Sequence, residues 1–305
     1  MPPANPDKSP KRAGTRALYL LLLPTYLLLS VFSFIPFFWA FSTSLYDYEI
    51  GGERRFIGLA NYLEYFGDVT FLLSFRNMFF LTAFSVVVAT IIPLIVAKLI
   101  FSLSSERSRY MYRILFLIPI VVPTMAQQLV WKSMIYSDSG FLNELLRLTG
   151  LAAYTQAWTS NPNTVLWALA FIGFPFANGI NILIFYAGLT SIPESVHEAA
   201  EMDGATGLRK FLQIDVPLVL SQIKLLVILT IIGGVQAFDG ILVITRGGPG
   251  FESIVPGLWM YFNAYSFQRM GYACAIGVVL FVLIVGLTAL NARYFKSSEQ
   301  AQGIR

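Results

Sequence analysis

The chain has 305 residues, of which 56% are hydrophobic and only 12% are charged. Soluble domains carry about 25% charged residues and disordered chains carry few apolar ones, so this composition excludes both classes. A single cysteine, Cys274, and a single histidine, His197, exclude a disulfide framework and a Cys/His zinc site. The net charge of +4 is explained better by Lys- and Arg-rich loops beside a membrane than by nucleic-acid binding. The composition therefore predicts a multipass membrane protein.

Apolar segments alternate with more polar connections along the chain. A spanning helix needs about 20 mainly apolar residues, and each segment is long enough to cross a bilayer. The segments are Ala17–Ser44, Met78–Phe101, Ile114–Tyr136, Val165–Leu189, Leu218–Ile241 and Tyr272–Tyr294. They predict an all-α membrane protein with a six-span body over residues 17–295. A disordered basic tail is expected over residues 1–16 and a second short tail over residues 296–305.

Lys and Arg residues are distributed unevenly between the two sets of connections. With the N-terminus inside, the inner set holds Lys8, Lys11, Arg12, Arg16, Arg107, Arg109, Arg113, Arg209, Lys210, Arg293, Lys296 and Arg305. The outer set is smaller: Arg54, Arg55, Arg76, Arg147, Arg246 and Arg269. This bias predicts that both termini are cytoplasmic. The first segment is too long for a signal peptide and has no A-x-A cleavage site, so an uncleaved anchor is expected.

Ionisable side chains are nearly absent from the middle of the apolar segments. Lys98 and Lys224 fall near the cytoplasmic ends, where a lysine can extend its ammonium group to the interface, and Lys132 and Asp239 fall near the outer ends. Carriers driven by an ion gradient place carboxylates at mid-membrane. We therefore expect no coupling to an ion gradient.

The sequence also lacks a nucleotide site and a catalytic set. No Gly-Lys dipeptide occurs, so a phosphate-binding P-loop is excluded, and a single histidine supports no Ser-His-Asp arrangement. The chain is predicted to bind no cofactor and to perform no catalysis. If it carries out active transport, the energy comes from a partner.

Proline interrupts several apolar segments. It removes a backbone donor and tends to kink a helix, which suits a cavity that opens and closes, although proline is also common in ordinary membrane helices. The residues concerned are Pro24, Pro36, Pro93, Pro119, Pro123 and Pro175.

The fourth loop, residues 191–223, is the most informative segment. Ser191 and Glu194 have the spacing of a capping box, which predicts the start of a helix of about ten residues. Gly204 is expected to end this helix in a left-handed conformation, and Thr206 to cap a second short helix.

The first helix of this loop has an acidic surface. It carries Glu194, Glu198, Glu201 and Asp203, with no Lys or Arg before Arg209. A helix that lies on anionic lipid is usually basic, so a protein partner is favoured over the membrane surface.

The same segment resembles the EAA loop of ABC importer permeases. The matching residues are Glu198-Ala199-Ala200, Gly204, Ile214 and Val216-Pro217. The sequence departs from the family pattern at Val216, where leucine is more usual, and at Ser221, where a proline often follows. The resemblance implies a type I ABC importer permease fold with six transmembrane helices and a coupling helix seated in a cleft of a separate ATPase. It assigns the ATPase contacts to Glu194, Glu198, Ala199, Ala200, Asp203 and Gly204.

Further motifs resemble the carbohydrate branch of this family, in particular the maltose-type first permease of a heterodimeric pair. They are Phe238-Asp239 with Thr245-Arg246-Gly247-Gly248-Pro249, Val122-Pro123 with Trp131, Gly140 and Asn143, and Gly173-Phe174-Pro175. The resemblance covers about residues 17–295. It implies that the spans form a translocation path for a sugar or oligosaccharide.

The resemblance also implies a set of partners. These are a second, homologous permease subunit, an ABC ATPase dimer at the cytoplasmic face that holds the ATP and Mg, and an extracellular or periplasmic solute-binding protein. The binding protein would deliver the sugar to outer loops such as residues 246–269. The expected location is the cytoplasmic membrane of a bacterium or archaeon.

One face of the fifth segment consists of small residues at helical spacing, namely Thr230, Gly233, Gly234 and Ala237. Such a face favours either close helix packing or the wall of a substrate cavity. Candidates for contacts with sugar rings and hydroxyls are Gln236, Phe238, Asp239, Asn178, Asn181, Gln127, Gln128 and Trp131. The two asparagines are explained better by hydrogen bonds between helices than by contacts with sugar hydroxyls.

Two other functions remain open at this point. An importer for a non-sugar solute, such as a glycerol phosphodiester, would need a basic cavity, yet no arginine falls at mid-span. A membrane-embedded enzyme would need His, Asp or metal ligands clustered within the spans. His197 is expected to be a surface contact of the coupling helix, and Cys274 a buried small apolar residue.

Overall fold

The computed structural model describes residues 13–174 and 178–294. Residues 1–12 and 296–305 of the predicted tails, and Pro175, lie outside the described residues. In chain order the α-helices are α1 (Ala13–Leu29), α2 (Ile35–Thr43), α3 (Ala60–Gly67), α4 (Val69–Phe101), α5 (Glu106–Leu117), α6 (Thr124–Val130), α7 (Phe141–Leu148), α8 (Val165–Ala170), α9 (Gly179–Thr190), α10 (Glu194–Met202), α11 (Gly207–Lys210), α12 (Val216–Leu218), α13 (Leu220–Gln236), α14 (Asp239–Ile244), α15 (Pro256–Tyr261) and α16 (Met270–Tyr294). The first helix thus includes residues 13–16, which the sequence assigns to the N-terminal tail.

Short π- and 3₁₀-helical turns join several of these helices. The π turns are Ser30–Phe34, Trp131–Ile135, Phe211–Asp215 and Phe262–Ser266, and the 3₁₀ turns are Ile118–Val121 and Ala152–Tyr154.

Three continuous stretches among the described residues are long and apolar enough to cross a membrane: Tyr19–Thr43, Val69–Phe101 and Met270–Asn291. Two further candidate spans are bent pairs, Glu106–Val121 with Thr124–Ile135 at 85° and Gly207–Leu218 with Leu220–Gln236 at 69°. The predicted span over residues 165–189 corresponds to α8 and α9, which lie on either side of the undescribed residues 175–177. Several apolar helices are therefore present, and the count of six spans stays a prediction.

Only some of the prolines bend the chain. The 85° bend falls at Val122 and Pro123, where Val122 is extended (ψ 123°) because a residue before proline is disfavoured in the helical region. Pro24 and Pro93 instead lie inside continuous helices. Pro93 is buried, so packing against neighbouring helices maintains α4 despite the lost backbone donor.

The all-α prediction misses a small antiparallel hairpin between α2 and α3. Strand β1 (Tyr46–Tyr48) pairs with β2 (Arg54–Phe56), and Gly51, at φ +83°, supplies the left-handed turn between them. The guanidinium of Arg54 lies 4.9 Å and 5.2 Å from the ring centroids of Tyr46 and Tyr48. Alternating aromatic residues and these cation–π contacts stabilise a strand pair that hydropathy does not detect.

Helix α4 is central to the fold and packs along α9 and α13. It begins at Val69 rather than at the predicted Met78, since the Asp68 carboxylate caps it by accepting the Thr70 N–H at 2.8 Å. One core cluster contains Met78 and joins α4 to α13, α15 and α16, and a second contains Leu94 and joins α4 to α9 and α13. We call the end with the β-hairpin the hairpin end, and the end with residues 191–223 the EAA end.

Polar contacts connect distant parts of the chain at the hairpin end. The Arg269 guanidinium donates to both carboxylate oxygens of Glu64 at 2.7 Å. The buried Asn77 amide donates to the backbone carbonyls of Glu252 and Ile254, both at 2.9 Å. These bonds hold α3, α4, the loop before α15 and the start of α16 together.

Candidate functional site

Helix α10 begins without the predicted capping box. Ser191 remains helical at the end of α9, and its hydroxyl donates to the Gly188 carbonyl at 2.7 Å, so it is not in the extended conformation that a capping residue needs. Pro193 precedes α10 and provides no side-chain cap. The predicted stop is confirmed, because Gly204 has φ +74°. Thr206 precedes α11 but caps it with no side-chain hydrogen bond.

The residues predicted to contact an ATPase lie on and directly after α10. Ala200 alone in this set is buried. The exposed residues are Glu194, Glu198, Ala199, Asp203 and Gly204. Met202 stands out with 88% of its surface exposed. Helix α10 therefore presents an acidic outer surface with one large apolar side chain.

An ion pair joins the two short helices of this loop, in which Glu201 is exposed and only 14% of the Lys210 side chain is exposed. The Lys210 ammonium group donates to a Glu201 carboxylate oxygen at 2.9 Å. This hydrogen bond lowers the pKa of Glu201, which is fully exposed. Such a pair contributes little to stability because solvent screens it.

Behind α10 lies a buried charge cluster that the sequence analysis missed. The Asp215 side chain is completely buried, and its Oδ2 lies 2.5 Å from Nζ of Lys98 at the end of α4. Lys98 therefore pairs within the protein instead of extending to the interface as expected. The sequence does contain a signal for this pair, because Asp215 directly precedes the fifth apolar segment and Lys98 lies near the end of the second.

His197 completes this cluster, and the prediction that it is a surface contact is wrong. Only 14% of its side chain is exposed, and its Nδ1 lies 3.8 Å from Asp215 Oδ1. Burial lowers the pKa of His197, and the positive charges of Lys210 and Lys98 lower it further against the opposing effect of Asp215. The imidazole is therefore neutral near pH 7.

The small-residue face of α13 divides into two parts. A β-carbon at Gly234 would lie 2.7 Å from Thr82 Oγ1 on α4, whereas a β-carbon at Gly233 would have no atom within 4 Å. Gly234 thus serves close helix packing, and Gly233 faces open space. Thr230 is half-buried, and Ala237 is exposed at the end of the face.

The chain breaks between α13 and α14, next to this open face. Ala237 is extended (φ −68°, ψ 124°), so the helix stops after Gln236 and a new one begins at Asp239. The Phe238 ring stacks on Tyr261, with centroids 5.6 Å apart. Gln236 and Asp239 are exposed.

The candidate amides of the third and fourth segments lie on different helix pairs. Gln128 reaches α14, since a β-carbon at Gly240 would lie 2.6 Å from its Nε2, and its buried Oε1 has no hydrogen-bond partner. Asn181 Nδ2 donates to the Ala89 carbonyl at 3.0 Å and so joins α9 to α4. Asn178 Oδ1 accepts the backbone N–H two residues on and caps α9.

The remaining candidates of the third segment line the bent span. Gln127 Nε2 lies 3.5 Å from the Pro119 carbonyl, and the Trp131 ring packs against Tyr136 with centroids 5.5 Å apart. Gln128, Phe238 and Asp239 therefore gather at the start of α14, and the two asparagines lie elsewhere.

Phe238 also lines an apolar cavity of about 450 Å³. The cavity is lined by residues of α2, α15 and α16, among them Phe37, Phe41, Met260 and Cys274. Cys274 is only partly buried there. Within residues 13–174 and 178–294 no group of three His, Cys, Asp or Glu residues is placed to hold a metal ion.

The sequence and fold match known proteins over almost the whole chain. The family model "Binding-protein-dependent transport system inner membrane component" matches residues 89–296. The sulfoquinovosyl glycerol transport system permease protein SmoG of Agrobacterium fabrum is 30% identical over 295 residues, which cover 94% of this chain and 92% of SmoG. The trehalose/maltose transport system permease protein MalF of Thermococcus litoralis is 31% identical over 273 residues, covering 88% and 90% of the two chains.

Solved structures support the same fold. A chain in the crystal structure of a bacterial ABC transporter involved in the import of the acidic polysaccharide alginate is 19% identical, with a TM-score of 0.78 over 93% of this chain and 98% of that chain. A chain of a bacterial alginate ABC transporter in complex with an alginate pentasaccharide-bound periplasmic protein reaches 0.80 at 18% identity, over 95% and 96%. The chain therefore belongs to the family of binding-protein-dependent transport system inner membrane components, and it is a multi-pass membrane transport subunit rather than an enzyme.

Proposed function

We propose that this chain is the permease subunit of an ATP-driven importer for a carbohydrate, crossing the cytoplasmic membrane of a bacterium or archaeon six times with both termini inside. The observation that carries the proposal is the position of α10, whose acidic outer surface is exposed while His197 on its rear packs against Phe101 and the buried Asp215. A simple connector needs neither feature. Relatives named for sugar transport, SmoG and MalF among them, support the carbohydrate class.

In this proposal the exposed residues of α10 dock on an ABC ATPase dimer. Glu194, Glu198 and Asp203 offer carboxylates to basic groups of that partner, and Ala199 lets the two backbones approach closely. ATP and Mg are bound by the ATPase, and this chain itself binds no cofactor. Closure of the ATPase dimer moves α10 and reorients the spans.

The open face of α13 is the proposed wall of the sugar path. Leu225, Leu229, Gly233 and Gln236 form an exposed stripe on this helix, opposite which a second, homologous permease would enclose the path. At the break after α13, an aromatic ring and polar groups lie together, the mixture that binds sugar rings and hydroxyls. A solute-binding protein delivers the sugar at the hairpin end.

The proposal is tested by reconstituting the chain with its ATPase, second permease and binding protein in liposomes. The probes are trehalose, maltose, sulfoquinovosyl glycerol and diacetylchitobiose. We expect binding protein loaded with one of them to stimulate ATP hydrolysis and uptake. Glu198→Ala combined with Gly204→Pro should abolish the stimulation, because it removes a docking carboxylate and the left-handed turn. Intact stimulation and uptake in this variant would show that α10 is not the coupling helix.

The sugar path is tested by filling the open space at Gly233. Gly233→Trp should block uptake of every probe, because an indole occupies the proposed path. The matched control is Gly286→Trp on α16, where a β-carbon would also meet no atom within 4 Å. Unchanged uptake in Gly233→Trp would remove α13 from the path.

A further inference from the structure

We propose that Lys98, Asp215 and His197 form a buried clamp that fixes α10 to α4 and transmits the movement of α10 to the central helix. The inference rests on the proposed coupling role of α10. It adds positioning residues that act behind the surface exposed to a partner.

The clamp joins three separate elements. Lys98 belongs to the last turn of α4, His197 to α10, and Asp215 to the π turn that follows α11. Asp215 lies between the other two: its Oδ2 forms an ion pair at 2.5 Å with the ammonium group, whereas the neutral imidazole packs against it without a hydrogen bond, with Nδ1 3.8 Å from Oδ1. An ionised carboxylate with no solvent exposure is tolerated only beside a compensating charge, so Asp215 fixes the position of Lys98 relative to the loop.

An aromatic residue closes the cluster from the α4 side. The Phe101 ring lies 5.4 Å from Nζ of Lys98 and 5.8 Å, centroid to centroid, from the His197 ring. The same ring therefore contacts both the cation and the imidazole. The carboxylate is fully buried and the lysine is 22% exposed, so the pair is only partly screened by solvent and its electrostatic interaction is stronger than at the surface.

The chemistry of the clamp favours transmission over stability. An apolar pair of similar size often stabilises a buried position as well as an ion pair does, but it allows sliding. A buried ion pair fixes one register, because separation of the charges leaves a carboxylate unpaired in an apolar environment. The Lys210–Glu201 pair in the same loop lacks this property, since the Glu201 carboxylate is exposed and water can replace Lys210 as its partner.

The clamp acts on the helix that contacts the proposed sugar path. Helix α4 packs along α9 and α13, and its Thr82 contacts Gly234 of α13. A displacement of α10 is applied through the packing of His197 on Phe101 and Asp215, and so to Lys98 and along α4. This route connects the docking surface to the wall of the path through α4.

The first test measures uptake per ATP hydrolysed in the reconstituted importer, with the four sugar probes above. Lys98→Met and Asp215→Asn should each lower this ratio by about tenfold. The rate of ATP hydrolysis in the absence of sugar should remain unchanged. The charge exchange Lys98→Asp with Asp215→Lys should restore the ratio. The control Glu106→Gln removes the same kind of carboxylate from an exposed pair with Arg109 and should leave the ratio unchanged.

A purely structural role gives a different result. Lys98→Met with Asp215→Leu replaces the ion pair by an apolar pair and should recover the yield of folded protein without recovering the ratio. If the apolar pair restores the ratio, or if the single variants lower only the yield of assembled complex, the clamp does not transmit movement and the inference is overturned.

The second test needs neither an ATPase nor a sugar. Spin labels are placed at the exposed positions Met202 and Leu99 of the full chain in lipid nanodiscs, with Cys274→Ser to remove the single native thiol. Lys98→Met should broaden the distance distribution, and Glu106→Gln should not. An unchanged width overturns the clamp. A broadened width in a chain that shows no ATP-driven uptake supports the clamp and contradicts the proposed function.

Discussion

The adjacent glycines of α13 allow a sharp test of helix packing. The same substitution, glycine to alanine, is made at Gly234, which faces Thr82, and at Gly233, which faces open space. Both variants gain the higher helix propensity of alanine, about 1 kcal/mol in a helix interior. They differ in whether the new methyl group has room.

The structure sets the size of the difference. The added carbon at Gly234 would lie 2.7 Å from Oγ1 and 2.8 Å from Cγ2 of Thr82, whereas carbon atoms in contact prefer about 3.5–4.0 Å. Thr82 is buried and β-branched, so its side chain has little freedom to rotate away. Overpacking of this kind costs about 1–3 kcal/mol. We expect Gly234→Ala to be less stable than Gly233→Ala by that amount.

The measurement is reversible unfolding of the purified chain in mixed micelles as the fraction of SDS is raised. Thr82→Ala removes the two atoms that clash, so the double variant with Gly234→Ala should recover the loss, giving a coupling free energy of about 1–3 kcal/mol. If Gly233→Ala and Gly234→Ala have the same stability, or if Thr82→Ala gives no rescue, the packing of α13 on α4 is not as described.

Two further predictions concern the two ends of the molecule. The pKa of His197 lies below its usual value of about 6.5, mainly because the imidazole is buried and also because lysines are near. The unfolded loop therefore binds the proton more readily than the folded loop. The stability of the loop should fall as the pH drops below that value. Amide hydrogen exchange in residues 194–202, corrected for its intrinsic rate, should be faster at pH 5.5 than at pH 7.5, and His197→Gln should remove this difference; a difference that persists would assign the effect to another group. At the hairpin end, Asn77→Ala leaves two carbonyls of the 252–254 segment unpaired, at about 1–3 kcal/mol each, and should accelerate exchange there more than tenfold. Arg76→Met removes an exposed ion pair to Glu252 and two long hydrogen bonds, of 3.4 Å, to Asn77 Oδ1, but leaves both carbonyls paired. It should have a smaller effect, and equal effects of the two changes would contradict this assignment.

The sequence predicts helices correctly where the local residue pattern determines them. It does not predict their ends where contacts with distant parts of the chain determine them. Hydropathy places the start of the second span at Met78, because Arg76 and Asn77 interrupt the apolar run. In the fold, the Asn77 amide is satisfied by carbonyls from far along the chain, so the helix extends back to its cap at Asp68. A polar residue that is paired through tertiary structure is indistinguishable, in sequence, from one that ends a span.

The candidate site shows the same limit. Helical spacing identifies the small-residue face of α13, but only the position of Thr82 on another helix separates Gly234 from Gly233. The acidic surface and the glycine stop of α10 are local features and were predictable. The pairing of Asp215 with Lys98 was not, because it depends on how the loop folds back on α4.

The bonds at the hairpin end have a geometric consequence for α16. A backbone bridge from Glu49 to Arg269, and the Arg269–Glu64 ion pair, fix the hairpin and α3 to the first turn of this helix. Helix α16 then continues without interruption for 25 residues, or about 37 Å. A tilt of the hairpin end by about 10° therefore carries the far end of α16 through about 6 Å, and a fluorophore on the hairpin turn would report displacements that are largest at the opposite side of the molecule.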